Sequence, residues 1–140
     1  MDAFDADVLV YAAVPGHPLG RKVEVLLSGN GPGSGVGPAG IGSVLLLPEL
    51  LTKPLRDRNE PDLMTLGGFL SRLELRPVDE ATAGLATALG AAHCLRAADA
   101  IHLATAVGVG ADRFLTNNAA DFPKSISEIT ITYPDELPEP

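Results

Sequence analysis

The chain has 140 residues and a mass of 14.5 kDa, the size of one domain. Hydrophobic residues make up 46% of it, which excludes disorder throughout; with no Trp, two Tyr and four Phe, the core must be built from Leu, Val, Ile and Ala. Ten Lys and Arg face eighteen Asp and Glu, and the net charge of −8 disfavours a basic groove that binds nucleic acid by charge alone.

Three acids among the first seven residues are the opposite of a signal peptide's basic start. A strand at Ala3–Asp5 is predicted to run into a helical turn from Asp7, and Pro15-Gly16-His17-Pro18 ends that element. Leu19, Val23, Leu26 and Leu27 have helical spacing. The segment Ser28–Gly42 then carries seven Gly and two Pro, and 29–42 reads as a flexible loop. Its Gly35–Gly40 stretch matches GxGxxG, but Gly, Pro and Ser precede it where dinucleotide binding needs a strand. The longest span free of Asp, Glu, Lys and Arg, Val25–Pro48, includes this loop, so no membrane helix is expected and the protein should be soluble and cytoplasmic.

A buried strand at Ala39–Ser43 should lead into a helix over Val44–Leu55, capped by Ser43 and with Pro48 in its first turns. Leu63, Leu66, Leu70 and Leu73 mark a helix over Pro61–Leu73, followed by a strand at Leu75–Val78. Asp79–His93 is Ala-rich and helical, Ala97–Val107 is a further helix, and Asp112–Thr116 and Ile126–Thr132 read as strands. The single cysteine, Cys94, excludes an internal disulfide and lies in an apolar stretch, so a buried thiol is expected. Strands alternating with helices imply a three-layer α/β/α sandwich with a mainly parallel central sheet over 1–132. The remaining 133–140 form an acidic, Pro-rich tail, expected to be loosely ordered.

In a parallel sheet the ligand site lies beyond the carboxyl ends of the strands. Acids amid apolar neighbours stand at such junctions: Asp5 and Asp7, Glu49, Asp99 and Asp121. Taken one at a time, each reads as a helix cap or a solvated end. Together they would repel, by roughly 4 kcal/mol for two carboxylates about 4 Å apart at an effective dielectric near 20. Such a cluster needs protons or a cation, and carboxylates without Cys or clustered His suit Mg²⁺ or Mn²⁺. His102 follows Asp99 by three on the same helical side, which allows an Asp–His catalytic pair, although a structural His near the site is the favoured expectation. Lys53, Arg56 and Arg58 follow Glu49, either as a solvated face or as contacts to substrate phosphates.

Phe4-Asp5-Ala6-Asp7-Val8 resembles the opening of PIN domains, Gly42-Ser43 through Pro48-Glu49 their second motif, and Ala98-Asp99 through Ala106 their third. Gly110 through Thr116, with Asn118, Asp121 and Phe122, resembles their fourth. The match covers nearly the whole chain in the family's order, and the size is that of VapC-type toxins of bacterial toxin–antitoxin pairs. The resemblance implies a PIN-like fold and a Mg²⁺- or Mn²⁺-dependent endoribonuclease. Asp5 and Asp99 would hold the metal. Glu49 and Asp121 would complete its shell or orient the attacking water. Asp7, Thr116 and Asn118 would support them, with Asn118 and Asp121 both candidates for the fourth acidic position. It further implies a homodimer and a cognate antitoxin as protein partner.

Two other readings remain at this stage. Asp5-Ala6-Asp7 after a strand also resembles the nucleophile motif of haloacid-dehalogenase-like phosphatases, with Thr116 as the second motif and Lys124 as the required lysine. A non-catalytic interaction module of PIN-like fold would be signalled by loss of the acids, and Asp5, Glu49 and Asp99 are all present.

Overall fold

The computed structural model describes residues 1–28 and 37–140. Residues 29–36, most of the segment read as a flexible loop and the start of the GxGxxG string, lie outside the described residues. In chain order the elements are β1 (Asp2–Phe4), α1 (Ala6–Ala13), α2 (Pro18–Leu27), β2 (Gly40–Ser43), α3 (Leu46–Arg56) and α4 (Glu60–Ser71). There follow β3 (Leu73–Arg76), α5 (Glu80–His93), α6 (Ala97–Gly108), β4 (Arg113–Leu115), β5 (Thr130–Thr132) and a 3-10 turn at Pro134–Glu136.

The five strands form one sheet in the order β3-β2-β1-β4-β5, every neighbouring pair parallel. The two-residue alternation of strand side chains divides the core. Phe4 and Leu115 face α1 to α4, packing with Val8, Leu9, Val23, Leu46, Leu50 and Leu70. Ala3 and Phe114 face α5 and α6, packing with Leu89, Leu103, Phe122 and Ile131. The result is the three-layer α/β/α sandwich expected from the alternation of elements. Strand order reverses direction between β1 and β4, the place where an open α/β sheet leaves a crevice at its carboxyl edge.

Local signals explain most of the element boundaries. Pro18 opens α2, where its missing N–H is not needed, and His17 Nδ1 accepts the Gly20 N–H at 3.1 Å. Asp79 caps α5 by accepting the Thr82 N–H at 2.8 Å. Gly20 lets α2 lie against α1: a Cβ there would fall 1.9 Å from the Tyr11 carbonyl oxygen. No described helix is long and apolar enough to cross a membrane.

Several boundaries move from the sequence expectation. The helix after β2 starts at Leu46 rather than Val44, because Ser43 Oγ accepts the Leu45 N–H (3.1 Å) in the turn before it. The third strand begins at Leu73 rather than Leu75, since Leu73 pairs with Gly40 and is buried in the sheet. The last strand keeps only Thr130–Thr132; Ile126 and Ile129 are buried from a loop instead. Cys94 is exposed, not buried: it ends α5 in the left-handed conformation (φ 56°, ψ 44°), past the face that packs on α6. The expected loose tail is also a departure. Leu137 is 4% exposed and packs in the α1–α4 core layer, and Lys22 pairs with Glu139 at 3.1 Å.

Candidate active site

Asp5 stands at the reversal point. Its N–H donates to the Leu115 carbonyl at 2.9 Å, which continues the β1–β4 ladder, and its side chain then caps α1 through the Ala6 N–H at 2.8 Å. The second carboxylate oxygen accepts the Thr116 hydroxyl at 2.8 Å. Asp5 is 6% exposed and Thr116 fully buried, so this bond ties the carboxyl ends of β1 and β4 together in a water-poor setting. Burial pushes the Asp5 carboxyl above the usual range, against the opposing effect of the Thr116 hydrogen bond.

Asp7 lies in the first turn of α1. One oxygen accepts the Asn117 N–H at 3.0 Å, and the other, Oδ1, is buried with no hydrogen-bond partner. Burial, and then the Asp5 charge, push its carboxyl up to about 6. Asn117 reaches Tyr11 as well, its amide donating to the hydroxyl at 3.2 Å, and Tyr11 stacks on His17 with ring centroids 4.6 Å apart. The start of α1 and the segment after β4 are thereby locked to each other. Asn117 and Tyr11 were not singled out in the sequence, where nothing distinguishes Asn117 from its neighbours.

Asp99 occupies the first turn of α6. Burial raises its carboxyl, followed by the charges of Asp5 and Asp121. Asp121 follows β4 in an Asx-type turn: Asn118 Nδ2 donates to its carboxylate at 2.8 Å, and the Asp121 N–H donates to Asn118 Oδ1 at 3.2 Å. Asn118 N–H in turn donates to Thr116 Oγ1 at 3.1 Å. Asn118 and Asp121 are thus joined in one network rather than set at separate places.

Glu49, in the first turn of α3, hydrogen-bonds through Oε1 to His102 Nε2. His102 is 2% exposed on α6, and its hydrogen-bond partner is Glu49 rather than the Asp99 that the spacing suggests. Of the basic residues, Lys53 lines the same groove as Glu49, together with Val10, Leu50, Asp57 and Asp62. Arg56, the last residue of α3, turns to Asp57 at 3.2 Å. Arg58 lies beyond the helix in a left-handed conformation (φ 54°). Neither is brought onto the acids by any contact among the described residues.

Hard carboxylate oxygens dominate this edge, three of the acids are destabilised as anions, and one buried oxygen lacks a partner. That donor set fits Mg²⁺ or Mn²⁺ rather than a soft metal. Among the described residues no three His, Cys, Asp or Glu side chains close around a single point. Mg²⁺ needs no such cage, since it is commonly held by one or two carboxylates with water and substrate phosphate completing its shell.

The PIN domain model matches residues 3–124, and the chain belongs to the PIN-domain family, whose members are typically nucleases. Solved structures share the architecture. A toxin–antitoxin complex from Klebsiella pneumoniae contains a chain 21% identical, with a TM-score of 0.73 over 96% of this chain and 98% of that one. VapBC2 from Rickettsia felis, bound to a DNA fragment from its promoter, contains one 20% identical, with a TM-score of 0.70 over 94% and 97%. FitAB bound to an IR36 DNA fragment contains one 18% identical, with a TM-score of 0.68 over 99% of both. No curated protein matches the sequence.

Proposed function

We propose that the protein is a Mg²⁺- or Mn²⁺-dependent endoribonuclease and the toxin of a toxin–antitoxin pair. The observation that carries the reading is the gathering of Asp5, Asp7, Glu49, Asp99 and Asp121 at the β1–β4 reversal point, three of them with carboxyls raised by burial. The partner half rests on the likeness to chains solved in toxin–antitoxin complexes.

In this reading Asp5 and Asp99 hold the cation, which when bound acidifies a water and offsets the phosphate's negative charge. Glu49 and Asp121 flank that pair and orient the attacking water on one side of the phosphorus. Asp121 takes the fourth acidic position in this reading, supported by the hydrogen bond that Asn118 Nδ2 donates to its carboxylate at 2.8 Å. Thr116 holds Asp5 and leaves its outer lone pairs free. Lys53, one helical turn beyond Glu49, contacts an RNA phosphate next to the cleaved one; Arg56 and Arg58 extend that track. The exposed Leu47, Leu55 and Met64 on α3 and α4 give apolar surface for the antitoxin or for a second copy of the chain.

The phosphatase reading loses its lysine. Lys124 Nζ donates to the Ile131 carbonyl at 2.6 Å and pairs with Glu136, beside the Tyr133 ring.

The test is cleavage of a structured RNA by purified wild type, Asp5→Asn, Asp99→Asn and Asp7→Asn, with and without EDTA, beside a small phosphomonoester. Asp5→Asn and Asp99→Asn should each lose at least about a hundredfold. Asp7→Asn should lose less, and the phosphomonoester should survive. RNA cleavage that ignores EDTA or Asp99→Asn would remove this mechanism. The partner half is checked by co-purification with a small protein encoded beside the gene, and the dimer by light scattering.

A further inference from the structure

Glu49 is the acid of the cluster with the least support of its own. It sits on α3, its side chain is 34% exposed, and three side-chain torsions must be fixed before its carboxylate has a defined position. The hydrogen bond found for that carboxylate comes from His102.

His102 is deeply buried on α6. Its side chain is 1% exposed, and Nδ1 is buried with no hydrogen-bond partner. With Nδ1 unpartnered, the ring proton belongs on Nε2, where the Glu49 carboxylate accepts it. A buried imidazole with one orphaned nitrogen is worse for folding than an aliphatic side chain of similar volume. The ring's polar output runs to Glu49. It also lies three residues after Asp99, so the first turns of α6 fix one acid directly and reach across to a second on α3, 53 residues earlier in the chain.

We infer that His102 is a positioning residue: its Nε2–H holds the Glu49 carboxylate toward Asp5 and Asp99, and the site is incomplete without it. This rests on the cation-dependent reading above. Groups that orient a ligand typically change metal affinity by about ten- to a hundredfold when removed.

The experiment reads Mn²⁺ binding through the melting temperature of the RNA-free protein, titrated with Mn²⁺ alone. His102→Leu should raise the Mn²⁺ concentration for half-maximal stabilisation about tenfold or more. His102→Gln, which keeps a donor near the Nε2 position, should stay within about threefold of wild type. Glu49→Ala should match His102→Leu, and the double variant should be no worse than Glu49→Ala alone, since both remove one unit. A second measurement stands if His102→Leu does not fold. In ¹⁵N-labelled wild type the His102 Nε2–H should be hydrogen-bonded and slow to exchange with solvent, and the surface variant Glu49→Ala should lose that bond. Wild-type Mn²⁺ affinity in His102→Leu, additive losses in the double variant, or an unchanged Nε2–H hydrogen bond in Glu49→Ala would overturn the role and leave the nuclease reading standing. A wild type indifferent to Mn²⁺ would overturn both.

Discussion

Asp7 shows how the acid cluster sets the chain's response to pH. Folded, it holds its proton up to about pH 6; unfolded, it does so only to its ordinary 3.8. The native state therefore binds the proton more tightly, and stability rises as pH falls from about 6 toward 4. Asp5 and Asp99 shift in the same direction. Thermal melts of the cation-free protein should show a higher melting temperature at pH 5 than at pH 7. Asp7→Asn should raise the pH 7 value by a few degrees, on the order of 1 kcal/mol after allowance for partial solvent access, and flatten the pH slope. A melting temperature that falls between pH 7 and pH 5 would contradict this. Cys94 gives a second prediction at this scale. It is exposed at φ 56°, and the Leu95 N–H closes on the Gly90 carbonyl at 3.1 Å, the pattern in which glycine is preferred. Cys94→Gly should stabilise by about 0.5–1 kcal/mol in urea titration.

Helix packing carries the elements into place, and two contacts test it. Gly20→Ala would drive a methyl into the Tyr11 carbonyl and separate α1 from α2, so a loss of about 2 kcal/mol or more is expected by chemical denaturation. Leu137→Ala should cost about 2–3 kcal/mol if the C-terminal residues belong to the α1–α4 core layer, against almost nothing for a free tail. That tail was misread because Pro and acid composition describes an average, while one apolar side chain against Val23 and Leu27 decides the docking. The element types and the parallel sheet were legible, since helical stripes such as Leu63-Leu66-Leu70 and short apolar runs such as Phe114-Leu115 each obey one period. Boundaries were not, because strand pairing fixes them: Leu73 joins the sheet through Gly40, which no local signal indicates.

At the scale of the whole molecule, topology brings residues far apart in the chain to one edge of the sheet. The order β3-β2-β1-β4-β5 sets Asp5 beside Thr116, 111 residues apart, and brings the start of α6 to the same edge. The junction acids could be read from sequence because charge between apolar neighbours is visible there. The Glu49–His102 pair and the Asn117–Tyr11 link could not, because each depends on side-chain directions fixed only in the assembled sandwich. The proposed function depends on one hard cation bound at this edge. Calorimetric titration of the free protein with Mn²⁺ tests it most directly, using Asp112→Asn, an exposed acid paired with the chain's N-terminus, as the control. One cation per chain is expected, retained in Asp112→Asn and lost in Asp5→Asn and Asp99→Asn. Binding that is absent from wild type, or unchanged in Asp5→Asn and Asp99→Asn, would contradict it.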